Sequence, residues 1–346
     1  MAGALDGIRV IEFAGIGPGP FCAMMLADHG AEVIRIERQG AEPDLRDPML
    51  RNREFIHLDL KSPQGVEQAR DLCRSAHALI EGFRPGVMEK LGLGPDALLE
   101  DNPTLVYGRM TGWGQTGPLA QKAGHDINYI AVSGVLNSIG REGEPPIPPL
   151  NYVGDFGGGA MMLAFGILAA LMAVKNGGSG QVVDAAMTDG SAVLSAMTWH
   201  HLQTGFFRDE AGVNLLNGGA HFYRTYKCAD DKYIAVGAIE PQFYAALLAG
   251  LELSDDPQLQ AQFKQGLWEQ NRQKMVRTFL KKSRDEWVQT FADLDACVSP
   301  VLSLKEAAVH PHNIARNVFQ ARGEVVQPMP APRLSGTPAE IRPGGI

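Results

Sequence analysis

The feature that most constrains this chain is the alternation of β-branched runs and helical segments through its first half. Residues 8–13 (IRVIEF) and 32–37 (EVIRIE) have strand character, and between them residues 21–29 read as a helix stopped by Gly30. Ser62 followed by Pro63 is an N-cap with proline at the first helical position, opening a helix that runs to about Ala76. Short strands follow at 78–80, 104–109 and 180–187. Strands that alternate with helices pair in parallel through right-handed crossovers, so the expected class is α/β with a Rossmann-like parallel sheet.

The second half changes texture. Glycines 154 and 157–159 open an apolar helix over 160–174 (AMMLAFGILAALMAV). That run is shorter than the ~20 residues of a membrane span, so it predicts a buried core helix and no membrane. A helix is expected at 191–204, a connector without period at 206–220, a strand at 233–239 and a helix from Pro241 to Gly250. Helical pattern over 256–293, a strand at 297–302 and a proline-rich tail complete the chain. At ~150 residues per domain, 346 residues predict two domains. They are a large α/β domain, 1–205, to which the tail 309–346 returns, and a small α+β domain, 221–308, joined by the linker 206–220.

Composition narrows the class. With 45% hydrophobic and 20% charged residues the chain is globular and not disordered. A net charge of −8 and the lack of a basic run argue against a nucleic-acid partner. The first residues carry no basic-then-apolar leader pattern. Cys22, Cys73, Cys228 and Cys297 lack metal-ligand or CxxC spacing, which predicts reduced thiols and a cytoplasmic protein.

Several segments could carry chemistry. The loop AGIGPGP after the first strand is a weak dinucleotide signal. Pro20 stands where the third glycine would be, and Pro18 and Pro20 remove two backbone donors. Glu37 sits where a ribose-binding acid could sit. Arg35, Arg38, Arg46, Arg51, Arg53, Lys61, Arg84 and Lys90 bias an acidic chain locally towards positive charge, as a phosphate site or a solvated face. His125 heads a predicted helix. Asp155 sits in GDFGGG, whose glycines would let a ligand approach the backbone, or is simply a helix cap. Glu240 precedes Pro241, again as a functional carboxylate or a cap. Together, His125, Asp155 and Glu240 form a possible acid–base constellation. There is no GxSxG, Walker loop or metal-ligand cluster, so serine hydrolase, kinase and zinc-enzyme readings have no support.

Longer motifs then carry a resemblance. AGIGPGP through VIRIE, LRNR at 50–53, LDLKS at 58–62, IEGFRPGV at 80–87, GRMTGWGQTGP at 108–118, GHDINY at 124–129 and GDFGGG at 154–159 resemble the α-methylacyl-CoA racemases of the family III CoA-transferase (CaiB/BaiF) superfamily. QVVDAAMTDG, VGAIEPQFYAALL and PMPAPRLS extend the similarity over nearly the whole chain. The resemblance implies proton transfer at the carbon next to a CoA thioester, with His125 and Asp155 as the catalytic pair and Glu240 beside the histidine. It implies CoA or substrate contacts at Arg38, Leu58, Asp59, Leu60, Lys61, Gly82, Phe83, Arg84 and Lys90, and at Gly124, Asp126, Ile127, Asn128 and Tyr129. Lys90 stands where close relatives have arginine, which keeps the charge but loses the bidentate fork. The chain ends soon after PAPRLS, where relatives continue. The family's interlocked homodimer would bring Glu240 of one chain to His125 of the other.

The implied reaction needs a base on one face of the α-carbon, an acid on the other and donors for the enolate oxygen, for which backbone N–H groups near Asp126 are candidates. It needs no metal and no cofactor, CoA being part of the substrate. Two other functions remain on the same residues. A CoA-transferase would use Asp155 as a nucleophile, chemistry that does not need His125 with Asn128 and Tyr129. A non-catalytic acyl-CoA-binding protein would not need the acid–base residues at all.

Overall fold

The computed structural model of this chain describes residues 3–323 and 325–342. They divide into two compact units. The first lies within 1–135, 149–196 and 317–346, and the second within 136–148 and 197–316.

In the first unit the order is β1 (Arg9–Phe13), α1 (Pro18–Asp28), β2 (Glu32–Arg38), β3 (Arg53–Leu58), α2 (Pro63–Arg74), β4 (Ala78–Glu81), α3 (Val87–Lys90), α4 (Pro95–Asp101), β5 (Val106–Thr111) and α5 (Asp126–Val132). A π-helical segment (Tyr152–Ala160) runs directly into α6 (Met161–Lys175), followed by β6 (Gln181–Ala186) and α7 (Met187–Leu194). The six strands form one all-parallel sheet in the order β3-β2-β1-β4-β5-β6. The winding reverses between β1 and β4, and a doubly wound sheet binds its ligands at the strand ends beside such a reversal. Helices cover both faces, which explains why β1 and β4 are apolar at successive positions. Val10, Val33 and Ile80 pack with α1 and α6 on one face, and Ile11, Ile34 and Leu79 pack with Leu98 and Tyr107 on the other.

Local chemistry fixes the ends of these elements. Ser62 caps α2 by accepting the Gly65 N–H at 3.0 Å, and Pro63 takes the first helical position. The α7 backbone approaches the π-helical segment so closely that a Cβ on Gly190 would lie 1.8 Å from the Gly158 carbonyl oxygen. A Cβ on Gly158 would likewise meet the Ser191 N at 2.6 Å. Close packing against α7 is therefore one reason for glycine at 158 in GDFGGG, besides the ligand approach that the sequence suggests.

The apolar helix is also longer and less covered than the sequence predicts. Tyr152–Lys175 is continuous over 24 residues, long and apolar enough by length and composition to cross a membrane, and 39% of its most apolar stretch is buried. Leu163, Ala164, Ile167 and Ala170 are buried, whereas Met161, Phe165, Leu168 and Met172 form an exposed stripe at helical spacing. It is thus a core helix on one side only.

The second unit holds α8 (Ala196–Gln203) from its second residue on and is built on an antiparallel sheet of β7 (Tyr223–Lys227), β8 (Tyr233–Gly237) and β9 (Val298–Val301). It is packed by α9 (Pro241–Gly250), α10 (Trp268–Phe279) and α11 (Arg284–Thr290). Its core is aromatic, with Phe222, Tyr226, Tyr244, Trp268, Phe279 and Trp287 in one cluster. Residues 136–148 and 197–205, which the sequence groups with the large domain, belong to this unit, as do 309–316. The 136–148 segment closes on itself, Ile147 donating to the Ile139 carbonyl at 2.9 Å, and seats Gly212 against the Glu142 backbone. After residue 316 the chain returns to the first unit through a hairpin of β10 (Phe319–Arg322) and β11 (Val325–Pro328). Arg51 holds the Pro328 carbonyl at 2.7 Å and Asn52 the Glu340 carbonyl at 2.8 Å.

Candidate active site

A cavity of about 760 Å³ opens in the first unit at the carboxyl ends of β1, β4 and β5, beside the reversal in winding. Its walls are the loop 14–20, Gly82, Phe83 and Arg84 after β4, Gly112 and Trp113 after β5, residues 122–125, Tyr129, Asn151, Asp155, Phe156 and Met187.

The stretch 14–20, a loop as far as Gly17 and then the first turn of α1, is held from below by a buried ion network. Glu12 of β1, fully buried, pairs with Arg35 at 2.5 Å and with Arg53 at 2.7 Å, and Arg35 also pairs with Glu37 at 2.6 Å. Arg35 donates to the Gly15 carbonyl at 3.1 Å and Arg53 to the Pro20 carbonyl, so both ends of the stretch are tied to one carboxylate. Arg51 is likewise buried and paired with Asp28 at 2.5 Å. Arg35, Arg51 and Arg53 are therefore structural, and Glu37 is not free for a ribose. Arg46 is paired on the surface with Asp44 at 2.8 Å. Of the eight basic residues singled out in the sequence, Arg38, Lys61, Arg84 and Lys90 remain. All four are exposed, and none forms an ion pair with another described residue.

Asp155 projects into the cavity from the π-helical segment, whose N-cap is Asn151, so Asp155 is not a cap. Asn151 donates to Asp155 Oδ2 at 3.1 Å, and the Asp155 N–H donates to Asp126 Oδ2 at 2.7 Å. Gly17, in the left-handed region at φ 68°, lets the loop pass Asp155 so closely that a Cβ there would lie 3.1 Å from Oδ2. Burial pushes the Asp155 carboxyl above the usual carboxylate range. The Asn151 hydrogen bond opposes that, the charge of Asp126 adds to it and the charge of His125 opposes it.

His125 is the exposed N-cap of α5, its N–H accepted by Asn128 Oδ1 at 3.0 Å. Tyr129, edge-on to Trp113 at 4.8 Å, donates to the Gly124 carbonyl and so fixes the turn that presents His125. Burial, then the charge of Asp155, raises the Tyr129 hydroxyl, while Arg84 lowers it.

The remaining predicted residues fall in three places. Gly82, Phe83, Arg84, Gly124 and Tyr129 line the cavity with His125 and Asp155, and Phe83 is fixed by its N–H to Glu81 Oε2 at 2.7 Å. Arg38, Leu58, Asp59, Leu60 and Lys61 lie at the ends of β2 and β3, and Lys90 ends α3, all outside the cavity wall. Asp126 is buried behind the wall, while Ile127 and Asn128 face outward on α5. Glu240 belongs to the second unit, where it is exposed at the N-cap position of α9 and makes no side-chain capping bond. That unit has its own cavity of about 860 Å³, whose wall includes none of the predicted site residues.

Sequence reasoning missed Asn151 and Lys122. Asn151 is four residues before Asp155, a spacing that puts two side chains together on a helix. A helix start placed at Gly154 hid it. Lys122, on an irregular loop, had no periodic signal.

Comparison with known proteins gives the family. The pattern of CoA-transferase family III matches residues 5–344. The chain is 50% identical over 336 residues to the mouse protein named alpha-methylacyl-CoA racemase, covering 97% of this chain and 87% of that one. It is 48% identical to the human protein of the same name, covering 97% and 88%. Among solved structures, Rv3272 from Mycobacterium tuberculosis superposes with a TM-score of 0.80 at 27% identity, over 97% of this chain and 94% of that one. The chain belongs to the family III CoA-transferases.

Proposed function

We propose that this chain is an isomerase that racemises 2-methylacyl-CoA thioesters at C2 by proton transfer between two bases. The observation that carries the reading is that His125 and Asp155 open into one cavity, held by separate elements, at the ligand-binding end of the sheet. One removes the α-proton while the other donates to the opposite face, and the roles exchange for the opposite enantiomer. A carboxyl pushed upward by burial is a better proton donor partner near neutral pH than an exposed one, which suits Asp155 to this role. The enolate oxygen is received by the Asp126 and Ile127 amides at the start of α5, the Asn128 N–H being committed to the His125 carbonyl at 2.8 Å. The reaction needs no metal or redox cofactor, CoA arriving with the substrate.

Arg38, Lys61 and Arg84, exposed cations at or just after the ends of β2, β3 and β4, and the exposed Lys90 at the end of α3 take the phosphates of CoA. Two copies of the chain assemble, and the exposed Met161, Phe165, Leu168 and Met172 stripe is the face on α6 that a second copy covers in place of lipid. In the interlocked dimer Glu240 of one chain orients His125 of the other. Its uncapping, exposed carboxylate is available for that task. The described thiols are unpaired, three of them buried, which supports a cytoplasmic location.

The test is to incubate one enantiomer of a 2-methylacyl-CoA in D₂O and follow configuration and C2 deuterium together. Racemisation with deuterium incorporated at C2 is expected. Transfer of CoA to an added carboxylate, with a stoichiometric adduct on the Asp155 peptide, would replace the reading with a transferase.

A further inference from the structure

Asp126 directly follows His125, yet its side chain turns away from the cavity. It is 7% exposed, and its Oδ2 accepts the Asp155 N–H at 2.7 Å. Its other oxygen, Oδ1, is buried without a hydrogen-bond partner among the described residues. The carboxylate fits only because residue 154 is glycine, where a Cβ would lie 2.6 Å from Oδ2. A buried carboxylate with half its hydrogen-bonding capacity unmet is costly, and here it also stands beside a second carboxyl group. Helix packing does not require it, since a neutral residue could fill the space.

We propose that Asp126 is a positioning residue: its carboxylate ties the backbone of Asp155 to the peptide that carries His125, and its charge acts on the Asp155 side chain. This rests on the two-base reading above. Consecutive residues 125 and 126 thus serve both halves of the site, one by its ring and the other by anchoring the opposite base. A shift of about 1 Å between reacting groups costs on the order of 10²-fold in rate, so a direct tie between the two segments matters for turnover. The charge matters separately. The titratable groups around Asp155 are His125, Asp126 and Tyr129 at the start of α5, with Arg84 and Lys122 further along the wall. The loop 14–20 and α7 contribute Gly17 and Met187, which do not titrate. Asp126 is thus the like-charged neighbour, and like charge disfavours ionisation of Asp155, in the direction found for its carboxyl.

Two variants separate the two roles. Asp126→Asn keeps an acceptor for the Asp155 N–H and removes the charge; Asp126→Ala removes both. The Asp155 carboxyl is followed by ¹³C NMR titration, assigned with Asp155→Asn, a readout independent of catalysis. It is expected to titrate at lower pH in Asp126→Asn than in the wild type, and the corresponding limb of the kcat–pH profile is expected to move the same way at unchanged KM. Asp126→Ala should lower kcat by about 10²-fold with KM near wild type. An Asp155 titration unmoved by Asp126→Asn overturns the electrostatic role. Asp126→Ala turning over within about threefold of wild type overturns the tie. If Asp126→Ala does not fold, the Asn titration decides. Wild-type protein that never exchanges the C2 proton, with an Asp155 titration that still shifts in Asp126→Asn, would bring down the racemase reading and leave the influence of Asp126 on Asp155 intact.

Discussion

The two units differ in the polarity they bury around their functional and structural cores. The first buries whole charges. Glu12, Arg35, Arg53, Glu81 and Arg109 lie inside or under the sheet, paired with one another and aimed at the carbonyls and amides that shape the site. The second buries a neutral chain in its aromatic core and keeps its buried guanidinium, Arg284, away from that chain, paired with Asp285 and Glu306 at 2.9 Å each. His221 Nε2 meets the Tyr244 hydroxyl at 2.7 Å, and that hydroxyl donates to the Leu259 carbonyl at 2.8 Å. With its one proton committed, the Tyr244 oxygen accepts, so His221 carries its proton on Nε2. The difference shows where precision is needed. Buried ion pairs add little net stability against apolar replacements of the same shape, but they punish loss of a partner severely and so fix geometry. The first unit fixes the loop 14–20 and Phe83 in this way, whereas the second uses uncharged hydrogen bonds to complete an aromatic core.

The contrast is broken most sharply at the cavity itself. His125→Ala and Asp155→Ala should each lower the rate of racemisation by about 10² to 10⁴-fold, measured by polarimetry or chiral separation, without changing the melting temperature appreciably. Next in size, Glu12→Gln leaves Arg53 buried without its counter-ion and Arg35 with Glu37 alone. It should destabilise the protein by about 3–5 kcal/mol in urea titration, and a change under 1 kcal/mol would show that the network is not what holds the loop.

The second unit offers the matching test in pH. Burial lowers His221 from 6.5 to about 4. The folded state therefore favours the neutral ring. As pH falls below 6.5 the unfolded chain takes up a proton that the folded chain refuses until about pH 4, so stability is lost across that window. The loss amounts to roughly 3 kcal/mol, and His221→Gln should flatten it in chemical denaturation run from pH 7 to 4. Smaller still, Arg38→Ala should raise KM for the CoA ester about tenfold with little change in kcat, the mark of binding that is equal in ground and transition states. An unchanged KM would remove Arg38 from the CoA site. At the bottom of the scale, Arg46→Ala breaks an exposed pair with Asp44 and should leave both melting temperature and kinetics unmoved.

What could be read from the sequence follows the same divide between apolar and charged burial. β1, β2, β4 and β5 announce themselves as apolar or β-branched runs because both faces of the parallel sheet are covered. β3 (REFIHL) was not legible. Arg53 begins it and is buried by its pairing with Glu12, a contact no local pattern encodes. β7 (YRTYK) hid for a related reason, since its arginine and lysine sit on a half-buried sheet. Arg35, Arg51 and Arg53 could be read only as surface charge or ligand contacts, because pairing across 20 or more residues is tertiary information. At the site, motif resemblance pointed to His125 and Asp155, which the fold brings to one cavity. The glycines after Asp155 carried an ambiguous signal. Close approach of a ligand and close approach of α7 both demand the missing side chain, and packing against α7 is visible only in the fold.

The central claim is that His125 and Asp155 act as separate bases on opposite faces of one carbon. The most direct measurement is C2 deuterium exchange by each single-alanine variant on each pure enantiomer of a 2-methylacyl-CoA in D₂O. His125→Ala is expected to exchange one enantiomer and Asp155→Ala the other, with neither racemising at the wild-type rate. Exchange of both enantiomers at equal rates by either variant would contradict it.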